Sequence, residues 1–274
     1  MGTKRSRRGT GVPPERQGIQ SVEFGARLLR ALAEAPAALG LKDVAGRAGM
    51  SASKAHRYLV SLIRVGLVEQ DAMTGRYDLG VLALTVGLAA LGRLDPVKVG
   101  RWAAAAFRTR VDETVLIAVW GNRGPTVVGW EESSKPVTVN VRVGSVMPVL
   151  SSATGRVFLA YAPAEHTRAL VEAELADLRA RRPDDLDALT PDRLAADVRR
   201  YGLGRVDGDL LPGISALAAP IFDHAGRLSL VLTALGHHGV FDCRWDGVVA
   251  TTLKEIAAAA SRRLGAGVAT GTAA

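Results

Sequence analysis

Between Leu41 and Leu62 the chain reads LKDVAGRAGMSASKAHRYLVSL, two short apolar-periodic stretches broken at Gly49. That break leaves few folds open. Val44 and Ala48 lie one helical turn apart on a stripe read as buried, and Gly49 supplies the positive φ that ends a helix. Met50 fills the turn. Ser51 is a favourable N-cap, its hydroxyl placed to accept the N–H of Ser53 or Lys54. The helix that follows buries Ala55, Leu59 and Leu62 at i, i+4, i+7 spacing, and leaves Ala52, Ser53, Lys54, His56 and Arg57 on or beside the opposite face. A pair of this kind is either a helical hairpin with a solvated charged face or a helix-turn-helix, whose second helix enters the DNA major groove N-terminus first. In the second case small Ala52 and Ser53 let the backbone approach, and Lys54 and Arg57 reach guanine edges or phosphates.

The flanks favour the helix-turn-helix. Val22 to Ala35 reads as an amphipathic helix with Val22, Ala26, Leu29 and Leu32 on its apolar side, completing a three-helix core. After the second helix come Gly66, the run Leu67-Val68, the turn Asp71-Ala72-Met73-Thr74-Gly75-Arg76 and then Tyr77-Asp78-Leu79. Two short strands around a glycine-bearing turn make a hairpin wing, with Arg76 near its tip and against the phosphate backbone or minor groove. Charge agrees: residues 1–80 hold 13 Lys and Arg against 7 Asp and Glu, which is most of the net +8 of the whole chain. Lys4, Arg5, Arg7, Arg8 and Arg16 fall in a leader over residues 1–18, read as a disordered basic arm that either steers the protein to DNA or is a solvated tail. No apolar stretch of a signal peptide follows these charges.

Leu79 to Gly92 is an uncharged run of 14 residues, too short for the roughly 20 that span a bilayer. Leu79, Val81, Leu82, Leu84, Val86, Leu88 and Leu91 are apolar around nearly the whole helix circumference. A small winged domain cannot cover such a helix. Residues 81–95 are therefore read as a linker that also pairs with its copy in a second subunit, the alternative being a helix packed within its own chain.

The chain of 274 residues, 48% hydrophobic, is long enough for a second domain with its own core, here taken as residues 96–265. Helices are expected over Pro96–Val111, through Arg156 to Tyr161 with Ser151 or Ser152 as its cap, and over Ala164–Arg181, Pro191–Tyr201 and Trp245–Leu264, with Arg182-Pro183-Asp184-Asp185 as a connector. Strands are expected over Thr114–Trp120, Thr126–Trp130, Val137–Val143, Ala216–Ile221 and Leu228–Leu235, the third by strict alternation of Val137, Val139, Val141 and Val143. This order gives an α+β fold with a largely antiparallel sheet. Residues 266–274 are a flexible small-residue tail.

Ser151-Ser152-Ala153-Thr154-Gly155 sets small residues before a helix N-terminus, where open N–H groups and the helix dipole suit a carboxylate. The plainer reading is a capped helix start, with Gly155 admitting close packing. The single Cys243 permits no intrachain disulfide, and histidines at positions 56, 166, 224, 237 and 238 show no metal-ligand spacing. The expectation is a cytoplasmic protein without metal or cofactor. No G-x-S-x-G elbow, P-loop or dinucleotide fingerprint occurs, and no His and Asp partners for a serine nucleophile are identifiable, so an enzyme is not expected.

The chain resembles the IclR-type transcriptional regulators from about Gln20 to Leu264. The helix-turn-helix segment with its His56-Arg57 pair, SSATGRVFLAY, and DGDLLPGISALAAPIFDHAGRLSLVLTALG carry the likeness. In the last of these Asp209 stands where the family commonly has Glu, Gly213 and Pro220 match, and Ala216 replaces a usual cysteine. The resemblance implies a winged helix-turn-helix domain over residues 19–80 and a GAF-like effector-binding domain. It further implies a homodimer or dimer of dimers on palindromic double-stranded DNA operators, and a small organic acid or aromatic effector. By position it puts Ala153, Thr154, Gly155, Asp207, Asp209, Ala216 and Thr233 around the effector, with Val139 and Val141 as an apolar wall. Asp207 or Asp209 would accept a hydrogen bond from a ligand hydroxyl, and an inward carboxylate would repel an anion. The loss of the cysteine means effector identity does not transfer from cysteine-bearing relatives. Three functions follow: an effector-responsive regulator, a DNA-binding protein whose second domain only oligomerises, or an enzyme with an accessory winged domain.

Overall fold

The computed structural model describes residues 18–135, 141–181, 190–208 and 213–267. Most of the basic arm, Val139, Asp209, the connector at 182–185 and most of the tail lie outside the described residues. The chain forms two compact units that divide between Ala90 and Leu91.

In the first unit α1 (Gln20–Ala33), α2 (Leu41–Arg47) and α3 (Ala52–Arg64) enclose a core of Leu28, Leu32, Val44, Ala45, Ala48, Ala55 and Leu59. Gly49 takes φ +64, and the turn closes by bonds from the Met50 N–H to the Ala45 carbonyl (3.0 Å) and from the Gly49 N–H to the Gly46 carbonyl (3.2 Å). Ser51 caps α3 by accepting the Lys54 N–H at 3.4 Å. Helix α3 ends by the same device at Gly66, φ +74, with the Leu67 N–H on the Leu62 carbonyl (3.0 Å). Strands β1 (Val68–Gln70) and β2 (Tyr77–Leu79) pair antiparallel as the wing.

The apolar side of α1 differs from the expected one. Gly25, Leu28, Ala31 and Leu32 face the core, whereas Val22 and Ala26 are exposed and Leu29 is half-buried. Leu28 and Leu32 keep the one-turn spacing, so the buried stripe is rotated toward Leu28. Helix α4 (Val81–Gly92) has no buried residue, and Val81, Leu84, Val86 and Leu88 are each more than half exposed.

In the second unit five antiparallel strands run in the order β4-β3-β7-β6-β5, with β3 Thr114–Gly121, β4 Gly124–Glu131, β5 Gly204–Asp207, β6 Ile214–Phe222 and β7 Leu228–His237. Both faces of the sheet are covered. Val115, Ile117, Leu217, Ala219, Leu230 and Leu232 meet α5 (Pro96–Val111) and α9 (Val248–Arg263). Leu116, Ala118, Val206, Ala216, Ala218, Val231 and Leu235 belong to a second core with α6 (Ala153–Tyr161) and α8 (Pro191–Tyr201). Helix α7 (Ala164–Arg181) follows α6. With helices on both sides, β6 and β7 read as nearly continuous apolar runs rather than alternating ones.

The strand expected at 137–143 is not borne out where it can be seen. Residues 141–143 are not strand, and the chain turns between Arg142 and Ser145 through Gly144 at φ +93. The segment then joins β4 only by local bonds, such as the Val127 N–H to the Ser145 carbonyl (2.9 Å) and the Thr126–Val146 bridge. Helix α6 starts at Ala153, directly behind Ser152, one of the two caps expected. Helix α9 starts at Val248 rather than Trp245, behind Gly247, where a Cβ would lie 2.3 Å from the Asp242 carboxylate.

Strand β5 was not expected. It is a four-residue edge strand with Arg205 and Asp207 among its residues, short and charged as edges tend to be. It sits so close to α6 that a Cβ at Gly204 would meet the Ala153 carbonyl oxygen at 2.3 Å. Gly204→Ala should therefore lower stability by about 2 kcal/mol through overpacking against backbone. An unchanged urea midpoint would refute the close approach.

Candidate functional site

Two separate places draw together the residues singled out from sequence. The first is the exposed side of α3. Ser53, His56 and Arg57 are exposed there, and none of their side chains meets a partner among the described residues. Lys54 is otherwise engaged. Its ammonium lies 3.2 Å from the centroid of the Phe24 ring, which also packs on Tyr58 at 5.6 Å. Ser51 spends its hydroxyl on the cap, and Ala52 is half-buried. Arg76 follows the wing tip rather than crowning it, and its guanidinium donates to the Ala38 carbonyl at 3.1 Å. A bridge from Leu39 to Tyr77 ties the same strand to the body of the unit.

The second place is the N-terminus of α6. Ser152 caps it, accepting the Gly155 N–H (2.9 Å) and donating its hydroxyl to the Pro148 carbonyl (2.6 Å). The loop before the cap already holds an anion, the side chain of Glu174. That carboxylate accepts the N–H groups of Val149 (2.7 Å), Leu150 (2.9 Å) and Ser151 (2.9 Å) and the Ser151 hydroxyl (2.6 Å). Of the donors read from sequence as open, that of Ser151 is thus occupied from α7, along with its neighbours at Val149 and Leu150. Gly155 serves packing, since a Cβ there would fall 2.0 Å from the Pro148 carbonyl oxygen.

What stays open is smaller. The N–H groups of Ala153 and Thr154, the first two of the helix, have no acceptor among the described residues. The Thr154 and Thr233 hydroxyls, both buried, share a hydrogen bond of 2.9 Å. Beside them lies a cavity of about 40 Å³ lined mainly by apolar groups, including Leu116, Met147, Val206, Ile214 and Leu235. Ala153, Thr154, Ala216, Thr233 and Val141 line it as well, so these expected residues do come together. Leu116, Val206, Ile214 and Leu235 were missed, although the period of two in the expected strands puts Leu116 and Leu235 on this face. Met147, in an irregular segment, carried no signal.

Asp207 is elsewhere. It borders a different cavity of about 230 Å³ that runs along edge strand β5, between α8 and Trp245. Its Oδ1 accepts the Ser215 hydroxyl (2.5 Å) and lies 2.9 Å from His238 Nδ1, while Oδ2 faces Arg205 at 3.3 Å. The Ser215 bond, with help from His238 and Arg205, holds the carboxyl below the usual carboxylate range against a partly opposing cost of burial.

A serine, a histidine and an aspartate thus meet in space although they do not in sequence. Their arrangement is not that of an activated nucleophile. Both Ser215 (3.2 Å) and Asp207 approach the same nitrogen of His238, and the serine hydroxyl donates directly to the carboxylate. Ser215 is also buried at 1% exposure, out of reach of a substrate. Among the described residues no three His, Cys, Asp or Glu side chains gather as metal ligands, and no helix is long and apolar enough to cross a membrane.

A three-helix unit with a free-faced third helix and a hairpin wing, joined in one chain to an α/β/α sandwich, defines a two-domain DNA-binding regulator. Residues 21–72 match the IclR helix-turn-helix domain, and residues 89–262 match the bacterial transcriptional regulator IclR C-terminal domain. The chain belongs to the IclR family of bacterial transcriptional regulators. It is 32% identical over 262 residues to the glycerol operon regulatory protein of Streptomyces coelicolor, covering 91% of this chain and 98% of that one. Pseudomonas aeruginosa HmgR superposes with a TM-score of 0.82 at 43% identity, covering 90% of this chain and 98% of that structure. An IclR homolog from Microbacterium hydrocarbonoxydans, solved as a complex with 4-hydroxybenzoate, shares the fold with a TM-score of 0.50 at 22% identity, covering 89% and 98%.

Glu174→Ala would strip the acceptor from three backbone N–H groups and a hydroxyl. A stability loss of about 2 kcal/mol is expected, since each buried donor left unpaired costs about 1–3 kcal/mol and water can reach part of this half-buried site. Chemical denaturation measures it, and a loss below about 0.5 kcal/mol would mean that the carboxylate does not hold the loop.

Proposed function

We propose that this regulator binds a small carboxylic or aromatic effector in the cavity at the N-terminus of α6, and that the ligand alters its affinity for a palindromic operator. The observation that carries the reading is the pairing of open donors with an apolar wall. The Ala153 and Thr154 N–H groups and the Thr154–Thr233 hydroxyl pair stand at one end, and Leu116, Val206, Ile214 and Leu235 line the rest. A ligand with a polar head and a flat apolar body matches that division. The homolog complexed with 4-hydroxybenzoate lends the chemistry a precedent. Small Ala216 leaves space where a larger side chain would close the wall.

The size of the cavity bears on how such a ligand enters. About 40 Å³ holds little more than a water or two, so the bound state requires the wall to yield. Met147 is the pliable element there. The same narrowness favours a second reading, in which the domain binds nothing and only oligomerises.

Isothermal titration against 4-hydroxybenzoate and related small aromatic acids separates the two. The effector reading expects saturable heat from at least one compound, and Ala216→Phe should abolish it while leaving DNA binding in place. Absence of heat across the panel would favour the ligand-independent reading.

The exposed apolar surface of α4 supports a homodimer. Val81, Leu84 and Leu88 at 73%, 62% and 59% exposure lie on a helix with no buried residue, an arrangement stable in water only when covered. Leu84→Glu should shift the protein toward monomer in analytical ultracentrifugation and weaken binding to a two-half-site duplex. A dimer undiminished by that change would show that α4 is covered in another way.

A further inference from the structure

We infer that the wing meets DNA through an apolar contact, with the Met73 side chain set against the deoxyribose walls and base edges of the minor groove beside the site read by α3. The inference rests on the DNA-reading assignment of α3 and adds the chemistry of the wing.

Met73 is 94% exposed, the most exposed of the large apolar side chains among the described residues. Its surroundings are not loose. The Asp71 carboxylate accepts the N–H of Met73 (2.9 Å), the N–H of Thr74 (2.6 Å) and the Thr74 hydroxyl (2.9 Å). The Gly75 N–H reaches the Asp71 carbonyl (2.8 Å), the Asp71 N–H reaches the Arg76 carbonyl (2.9 Å), and the Gln70 amide donates to the Gly75 carbonyl (2.9 Å). Gly75 at φ +66 turns the chain back into β2. The backbone that presents Met73 is thus ordered before any partner arrives, so little entropy is lost when it docks.

Charge separates this wing from an electrostatic one. Residues 71–75, Asp-Ala-Met-Thr-Gly, contain no cation, and their single carboxylate is turned inward on the loop's own donors. The nearest cation, Arg76, is drawn back to the Ala38 carbonyl. Such a tip has nothing with which to pair a phosphate. It does hold a flexible thioether chain at its apex, and apolar wedges of this kind enter the minor groove between base steps.

The test uses the full-length protein and the tightest duplex selected from a random-sequence pool, with affinity measured across a salt series. Met73→Ala should weaken binding about tenfold, the order expected for losing most of a buried methionine contact. The slope of affinity against salt should not change, because an apolar contact releases no counterions. Met73→Leu should restore most of the affinity. Arg57→Ala is the control for the underlying assignment, with an expected loss of sequence discrimination. If Arg57→Ala weakens discrimination while Met73→Ala binds within about twofold of wild type, less than an apolar contact is worth, the wing inference is overturned and the α3 assignment stands. If Arg57→Ala has no effect, the assignment of α3 itself fails.

Discussion

A sheet that is apolar on both faces is the constraint from which the second unit follows. Leu116 and Ile117, or Leu217 and Ala218, are neighbours in sequence and point to opposite sides, and each is almost wholly buried. Helices must therefore cover both faces, with α5 and α9 on one and α6 and α8 on the other. The second of these layers creates the cavity. Helix α6 comes down N-terminus first beside β5, so close that Gly204 has no room for a Cβ, while Gly155 lets the preceding loop fold back on the helix. That approach brings Thr154 within hydrogen-bond reach of Thr233 on β7, and the first two N–H groups of the helix have no acceptor among the described residues. Polar groups otherwise costly to bury are retained at one end of an apolar space, as a recognition site requires.

Glu174 sharpens this picture by dividing the helix N-terminus into two parts. The loop donors, Val149 to Ser151, are satisfied internally and serve architecture. The helix's own first N–H groups, those of Ala153 and Thr154, have no acceptor among the described residues, and on the proposed effector reading they are what remains for a ligand. A full anion nest would grip any small anion, whereas two N–H groups and a hydroxyl pair set in an apolar wall depend on the body of the ligand for most of their discrimination. Asp207, drawn off to Ser215, His238 and Arg205 along β5, leaves no carboxylate among the described lining residues to repel an acid. The conflict between an acidic effector and an inward Asp207 therefore does not arise.

Much of this was legible in the chain because local chemistry decided it. Gly49 and Gly66 end their helices at positive φ, Ser51 and Ser152 cap the next ones, and α5, α7 and α8 begin and end where periodicity and Pro96 or Pro191 put them. What escaped depended on distant partners. Strand β5 is too short and too charged to announce itself, and becomes a strand only because β6 offers it an edge. The occupation of the Ser151 N–H, together with those of Val149 and Leu150, was hidden because their acceptor lies on α7, 23 to 25 residues away. In α1 both Leu28 and Leu29 are apolar, so sequence alone did not decide which of two adjacent stripes faces the core. The bond from Arg76 to the Ala38 carbonyl was equally hidden, since that acceptor lies 38 residues away.

The same distant partners alter how the first unit divides its work. Lys54 lies over Phe24 and Arg76 on a backbone carbonyl, so two of the cations expected at the DNA face also hold helix and wing to their own unit. A cation held in place contributes field but little reach. Side chains able to extend from α3 to a base edge are then Ser53, His56 and Arg57, a short list dominated by one guanidinium suited to bidentate contact with guanine. With so few direct contacts, discrimination by one copy is limited to a few base pairs. A second copy related by two-fold symmetry doubles the sequence read without adding a residue to either. In the proposed homodimer the apolar helix α4, with no buried residue of its own, would recruit that copy, which would give the modest reading face of α3 and the exposed face of α4 a common explanation.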